Sequence, residues 1–125
     1  MTVLDLILRS DTPDVAKQLP EKKFTLPRLT TAAGAPVIFT LRALPYGAVQ
    51  DIRSMSEGDQ EVQIVLQGCV DPNLRDPQLL DKFGAVTPAD ALRSLLLPGE
   101  ISDLSLEIER LSGYRRRTIK EVKNA

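Results

Sequence analysis

The sequence predicts an α+β fold, predominantly α-helical, with an N-terminal β-hairpin followed by about five short helices. Three observations predict it. Alternation of apolar and polar residues at a period of two is confined to the stretch from Lys23 to Leu44. From Pro45 onward, apolar residues recur at spacings of three and four instead. That helical region is punctuated by Asp71-Pro72, Asp76-Pro77 and Thr87-Pro88, each a side-chain acceptor followed by a residue suited to the first helical position.

Met1 to Arg9 carries Val3, Leu4, Ile7 and Leu8 at the spacing of one helical face. Two turns of helix do not offset the cost of nucleation, so this segment needs a surface to dock on or a partner to bind. Ser10 to Lys23 is polar, holds Pro13 and Pro20, and reads as a linker; Thr12-Pro13-Asp14 suits the opening of a single helical turn. Phe24 and Leu26 then alternate with Thr25, while Phe39, Leu41 and Ala43 alternate with Thr40 and Arg42. These two strands form the hairpin, joined by a Gly- and Pro-containing loop from Thr30 to Pro36. Pro27 lacks the N–H that a ladder needs, so it marks an edge or an end of its strand. A two-stranded ribbon is marginal alone and calls for helices on one face or strands from a second subunit.

Ala48, Val49, Ile52 and Met55 make the first helical stripe, with Gly58 as its stop. Val62, Val65, Leu66 and Cys69 make the second, ended by Asp71-Pro72. Leu79, Leu80 and Phe83 form a short helix closed by Gly84, a residue suited to the left-handed conformation just past a helix end. Ala91, Leu92, Leu95 and Leu96 follow Thr87, whose Asp90 three residues on favours the first turn. Ile101, Leu104, Ile108 and Leu111 define the clearest helix, which starts after Pro98-Gly99-Glu100 and stops at Gly113. The expected organisation is an amphipathic segment and linker over 1–22, a hairpin-plus-helix domain over 23–114, and a flexible basic tail over 115–125.

Composition excludes several function classes. Sixteen basic residues nearly balance seventeen acidic ones, so no global charge draws the chain to nucleic acid or to an anionic membrane. The chain has no His and a single Cys, Cys69. Ser-His-Asp and Cys-His catalysis, ordinary zinc sites and an intramolecular disulfide are thereby ruled out. Cys69 falls among apolar residues and reads as a small core residue. No apolar run approaches the ~18 residues of a membrane span. The N-terminus lacks a basic leader and carries Asp5 in its apolar run, so it makes a poor signal peptide.

The remaining constellations favour binding over chemistry. The carboxylates Glu107 and Glu109 project from different faces of one helix, and Asp71 and Asp76 serve as caps, so neither pair suits acid–base catalysis. No Gly-rich stretch has the spacing of a phosphate loop, and no cofactor is expected. Leu79 to Leu96 has the spacing of a helix-turn-helix, but its second helix offers only Arg93 and Ser94 to base edges, with Asp90 set against phosphate. Arg115, Arg116 and Arg117 form a dense basic cluster, suited to the preceding helix dipole or to docking an acidic segment. The candidate partner-binding residues are Val3, Leu4, Ile7, Leu8, Leu104, Ile108, Leu111 and Arg115 to Arg117.

Phe39 to Tyr114 resembles the XkdN-like tail assembly chaperones of phages and defective prophages of Gram-positive bacteria. The resemblance rests on FTLRAL (Phe39 to Leu44), DPNLRDPQLLDKFG (Asp71 to Gly84), TPADALRSLLLPGEI (Thr87 to Ile101) and LSGY (Leu111 to Tyr114). The order LLPGEI then LSGY is its most specific part. The resemblance implies a small non-enzymatic protein of the bacterial host cytoplasm, absent from the finished particle. It implies the tape-measure protein as the partner that is kept soluble, help to tail-tube assembly, and a longer form of the chaperone made by frameshifting. Self-association is expected through hairpin edges or exposed helix faces. Two other readings stay open at this point: a structural tail or connector subunit retained in the particle, and a small nucleic-acid-binding regulator.

Overall fold

The alternation around Phe24 and Phe39 becomes a ladder in the computed structural model of the chain, which describes residues 1–123. Strand β1 (Glu21–Thr25) pairs antiparallel with β2 (Ile38–Arg42), with Phe24 opposite Phe39 and Glu21 opposite Arg42. Phe39 and Leu41 of β2 point into the core and are almost fully buried, while β1 keeps only Phe24 partly covered. The expected hairpin is therefore present, beginning at Glu21, two residues before Lys23.

Its connection differs from the expected loop. Pro27 ends β1 and opens helix α2 (Pro27–Ala33), and Gly34 stops that helix in the left-handed conformation at φ 73°. The Thr30-Thr31-Ala32-Ala33 run continues this turn of helix, and the Thr30 hydroxyl accepts from Val37 N–H at 2.9 Å to lead the chain into β2. The loop reading weighed Gly34 and Pro36 as breakers; they act only at the end of the helix.

A second correction concerns Cys69 to Asp71. The expected helical stripe ends at Gly68, and Cys69–Asp71 forms a third strand, β3, on the far side of β2. Leu41 lies opposite Cys69 and Thr40 opposite Asp71, with the ladder irregular between them. Asp71-Pro72 is consequently a strand exit with a cis peptide bond rather than a helix cap. Pairing with β2 overrides the local cap signal, because a central strand with one bare edge leaves backbone donors and acceptors that β3 satisfies. The sheet order is β1-β2-β3, and strands β1 and β3 are its edges.

The helices follow the sequence boundaries more closely. Helix α3 (Tyr46–Arg53) carries Ala48, Val49 and Ile52 but stops before Met55. Gly58 lies inside α4 (Glu57–Gly68) rather than stopping α3. Ser56, whose hydroxyl donates to Asp59 at 2.7 Å, and the acidic first turn of Glu57 and Asp59 open that helix. Helix α5 (Pro77–Phe83) starts on Asp76, which accepts from Gln78 N–H at 2.9 Å, and ends on left-handed Gly84. Helix α6 (Pro88–Leu95) starts on Thr87, which accepts from Asp90 N–H at 3.2 Å. Together with α7 (Pro98–Leu111), whose first turn is the Pro98-Gly99-Glu100 run expected to precede it, these are the five helices expected after the hairpin.

The core sits where α4 and α7 cross beneath β2. Phe39, Leu41, Val65, Leu92 and Ile108 are its largest fully buried side chains. Burial of each stabilises the fold by roughly 1.5–3 kcal/mol. Leu74 and Leu96, from the loops flanking α5 and α6, close its margins. No described helix is long and apolar enough to cross a membrane.

One polar clamp ties this core together, and it explains a resembled motif. Glu100, within LLPGEI, accepts from Leu97 N–H at 2.8 Å and so caps α7. The same carboxylate takes two donors of Arg28 on α2, Nη2 at 2.7 Å and Nε at 3.1 Å, and that Nη2 also donates to the Leu95 carbonyl at 2.8 Å. The Arg28 hydrogen bond holds the Glu100 carboxyl below its ordinary value of 4.5. Because the folded value is the lower one, this stabilisation is present above pH 4.5 and lost as pH falls through the folded value. Urea titrations between pH 7 and 3 are expected to give a shallower loss of stability below pH 4.5 in Glu100→Gln than in the parent chain.

Candidate functional site

A six-residue helix normally hides its apolar side chains or does not form. Helix α1 (Val3–Leu8) does the opposite, with no buried residue. Val3, Leu4, Leu6, Ile7 and Leu8 are between 44% and 73% exposed. The helix is held locally by a capping box: Thr2 Oγ1 accepts from Asp5 N–H at 3.1 Å, and Asp5 accepts from Thr2 N–H at 2.9 Å. These Thr2 contacts, the backbone one foremost, hold the Asp5 carboxyl below its ordinary value. At the other end Thr12 turns back and its hydroxyl donates to the Leu6 carbonyl at 2.8 Å. A short helix is thus set up by its own ends and presents a bare aliphatic face.

A groove on the body is the second feature. It is formed where α3, α4 and the end of α7 meet, and its walls are Leu44, Val49, Ile52 and Ile64, with a volume of about 190 Å³. Its rim is set by the LSGY sequence. Tyr114 N–H donates to the Glu109 carbonyl and Gly113 N–H to the Arg110 carbonyl, the paired bonds of a Schellman stop, and Gly113 takes φ 96°. Ser112 Oγ accepts from Leu44 N–H at 2.8 Å and donates to the Ile108 carbonyl at 2.7 Å, pinning the end of β2 to the end of α7. Tyr114 is thereby laid against α3, where the Arg53 guanidinium donates to its hydroxyl at 3.0 Å and sits 5.7 Å from the ring centre. Arg53 has no carboxylate within ion-pairing distance among the described residues.

The structure separates the candidate residues read from sequence. Val3, Leu4, Ile7 and Leu8 lie together on the exposed face of α1. Leu104 and Ile108 do not join them: both are core residues, 6% and 0% exposed, because α7 turns its stripe onto α4 and β2. In the closed fold neither offers surface to a partner, and Leu111 is half-buried at the margin of the same core. The basic cluster is partly tied back. Arg115, in the left-handed region, donates to Glu109 at 2.7 Å, and Arg116 donates to the Arg110 carbonyl at 2.7 Å. Arg117 is exposed. Of the tail residues, Asn124 and Ala125 lie outside the described residues.

Other candidate chemistries find little support in this geometry. Glu107 pairs with Arg110 at 2.8 Å, Glu109 with Arg115, and Asp71 lies in β3. Arg93, the residue that a helix-turn-helix would present, is held by Asp59 at 3.0 Å and by Asp90 at 3.5 Å. Burial, with Asp71 nearby, pushes the Cys69 thiol up to about 12, so little of it is thiolate near neutral pH. No cluster of three or more potential metal ligands occurs among the described residues. The groove was missed from sequence. Its residues come from four separate stretches, and its one local trace was the Gly113 stop followed by Tyr114.

Known proteins supply the family. No curated protein matches the chain. Among solved structures, the crystal structure of the protein yqbn superposes with a TM-score of 0.58, covering 78% of this chain and 89% of that one. At 15% identity that likeness speaks for the fold alone. The family model described as phage XkdN-like tail assembly chaperone protein matches residues 4–125, reaching further toward the N-terminus than the motifs from Phe39 onward. The match takes in the capped, all-exposed helix α1 except its first residue, the Glu100 clamp and the LSGY stop. This chain belongs to the phage XkdN-like tail assembly chaperone family.

Proposed function

We propose that the protein is a non-catalytic chaperone of phage tail assembly that binds the tape-measure protein and keeps it soluble while tail-tube subunits polymerise around it. Membership of the family supports the role in tail assembly. The observation that carries the binding mode is α1, whose aliphatic face is preformed yet left uncovered among the described residues. A long client rich in amphipathic helices presents the complementary face, and helix-to-helix apolar contact needs no reactive side chain. A helix of only six residues offers a small contact area, so binding through it is readily reversed.

The protein acts in the cytoplasm of the bacterial host and leaves before the particle is complete. It self-associates when no client is bound. Its further partners are the tail-tube protein and a longer frameshifted form of itself that extends from the basic tail. The basic cluster Arg115 to Arg117 favours acidic segments of a partner.

Co-expression of the full chain with the tape-measure protein of the same locus tests this reading. The tape-measure protein is expected to move from the insoluble to the soluble fraction and to co-purify with the chaperone. Unchanged aggregation with no co-purification rules it out. Abundant, stoichiometric presence of the chain in purified particles, read by mass spectrometry, would favour a structural subunit instead.

A further inference from the structure

We propose that the groove between α3, α4 and the end of α7 receives helix α1 of a second copy, so that two chains exchange their N-terminal helices. The inference deepens the self-association in the proposed function and rests on it.

Four observations on the molecule choose this occupant. The first is shape. The groove is lined by Leu44, Val49, Ile52 and Ile64 with Gln60 beside them, and Glu109 stands at its rim tied to Arg115 at 2.7 Å. Its volume of about 190 Å³ is somewhat more than the ~150 Å³ cavity that holds one benzene. Two aliphatic side chains of one helix turn match that space. The second is charge. Arg53 stands at the rim without a carboxylate partner among the described residues, its guanidinium only stacked on and bonded to Tyr114. Helix α1 contains one acid, Asp5. On a helix Asp5 sits beside Leu8, three residues on, and next to Leu4 at the flank of the stripe. With Leu4 and Leu8 inserted, Asp5 faces the rim where Arg53 lies.

The third observation is the tether. Ala43 N–H donates to the Pro20 carbonyl at 2.9 Å, which fixes the root of the linker beside Leu44, a groove residue. Ser10 to Leu19 spans at most about 35 Å when extended, ample to cross to a neighbouring chain. Within its own chain α1 nevertheless stands exposed, with no residue buried, and the linker closes turns of its own. Thr12 folds back onto Leu6 and Arg9, and the Lys17 and Gln18 amides close a turn on the Asp14 carbonyl. The fourth observation disfavours pairing through the hairpin edge. The open edge of β1 carries Glu21, Lys22 and Lys23, and edge lysines oppose strand-to-strand pairing. Reciprocal exchange then covers both bare helices about a single two-fold axis.

Sedimentation of the full chain across the micromolar range tests the assembly. The expected result is a reversible dimer of twice 13.8 kDa. Leu4→Asp with Leu8→Asp, and separately Arg53→Glu, are each expected to weaken it by about tenfold or more. Asp5→Arg combined with Arg53→Glu is expected to recover part of that loss. Disulfide trapping fixes the location: a Leu8→Cys chain mixed with a Gln60→Cys chain is expected to give the mixed cross-linked dimer on oxidation. Both chains carry Cys69→Ser, so that no third thiol competes. A chain that stays monomeric at every concentration overturns both this inference and the self-association it rests on. A dimer indifferent to the α1 and Arg53 substitutions overturns the exchange alone. Cross-linking confined within single chains carrying both cysteines overturns it equally, because it seats each α1 in its own groove.

Discussion

Replacing Gly68 by alanine is expected to destabilise the protein by about 1–3 kcal/mol, against the usual gain from removing a helical glycine. The reason is the crossing of α4 and α7. A Cβ built on Gly68 falls 2.6 Å from Ile108 Cδ1, 2.7 Å from Cγ2 and 2.9 Å from Cγ1. Three close atoms of one branched side chain leave no single rotation that relieves them, and Ile108 is completely buried. The core must therefore shift or the helices separate. Ile108→Ala is expected to cost about 2–5 kcal/mol by itself, through lost burial and the cavity it leaves. It also vacates the space that the new methyl needs. The double variant should be less destabilised than the sum of the two singles, with a coupling on the order of 1 kcal/mol or more. Urea unfolding of the four proteins measures this. Strict additivity would show that the two helices do not meet at this point.

The quadruple replacement Val3→Ser, Leu4→Ser, Ile7→Ser and Leu8→Ser should abolish client solubilisation while leaving the urea stability of the monomer, read at concentrations below the dimer range, within about 0.5 kcal/mol of the parent. Each of these side chains is already in solvent, so the folded body loses no buried apolar area with them. What is lost is the face offered to a partner, with each aliphatic side chain contributing on the order of 1.5–3 kcal/mol when fully covered. Leu104→Ser gives the opposite pattern. It places a hydroxyl in the buried apolar core and removes core volume, so stability falls and solubilisation falls with it. Co-expression solubility and urea midpoints, read side by side, separate the two residue groups. A quadruple variant that still solubilises its client would take binding away from α1.

The two groups had looked alike in the sequence. Val3, Leu4, Ile7 and Leu8 show the same three-and-four spacing as Ile101, Leu104, Ile108 and Leu111. Periodicity reports that a helix has an apolar face; it carries no information on whether the chain itself covers that face. Length was the only local hint, since six residues make a poor docking element and fourteen a good one. The same limit explains the groove. Leu44, Ile52, Ile64 and Tyr114 are far apart in sequence and become neighbours only after α7 stops at Gly113 and the Ser112 hydroxyl takes hold of Leu44.

Strand β3 and helix α2 show the limit for secondary structure. Cys69 to Asp71 has no alternation to display in three residues, and its strand character comes from the bare edge of β2. Pro27 was legible as the end of β1, but the helix it begins gains its long-range anchor from Glu100, distant in sequence and across the fold.

By itself the sequence determined where α5 and α6 begin and end, which stretch forms the hairpin, and that histidine-based chemistry is missing. Those properties depend on side chains within one turn of each other, such as Thr87 over Asp90 or Gly84 past Phe83, and on composition. Only the tertiary structure decided which apolar faces are buried, which edge of β2 takes a third strand, and where a groove opens. Each of these is settled by surfaces brought together from distant parts of the chain, where burial against a particular neighbour outweighs the preference of any one segment.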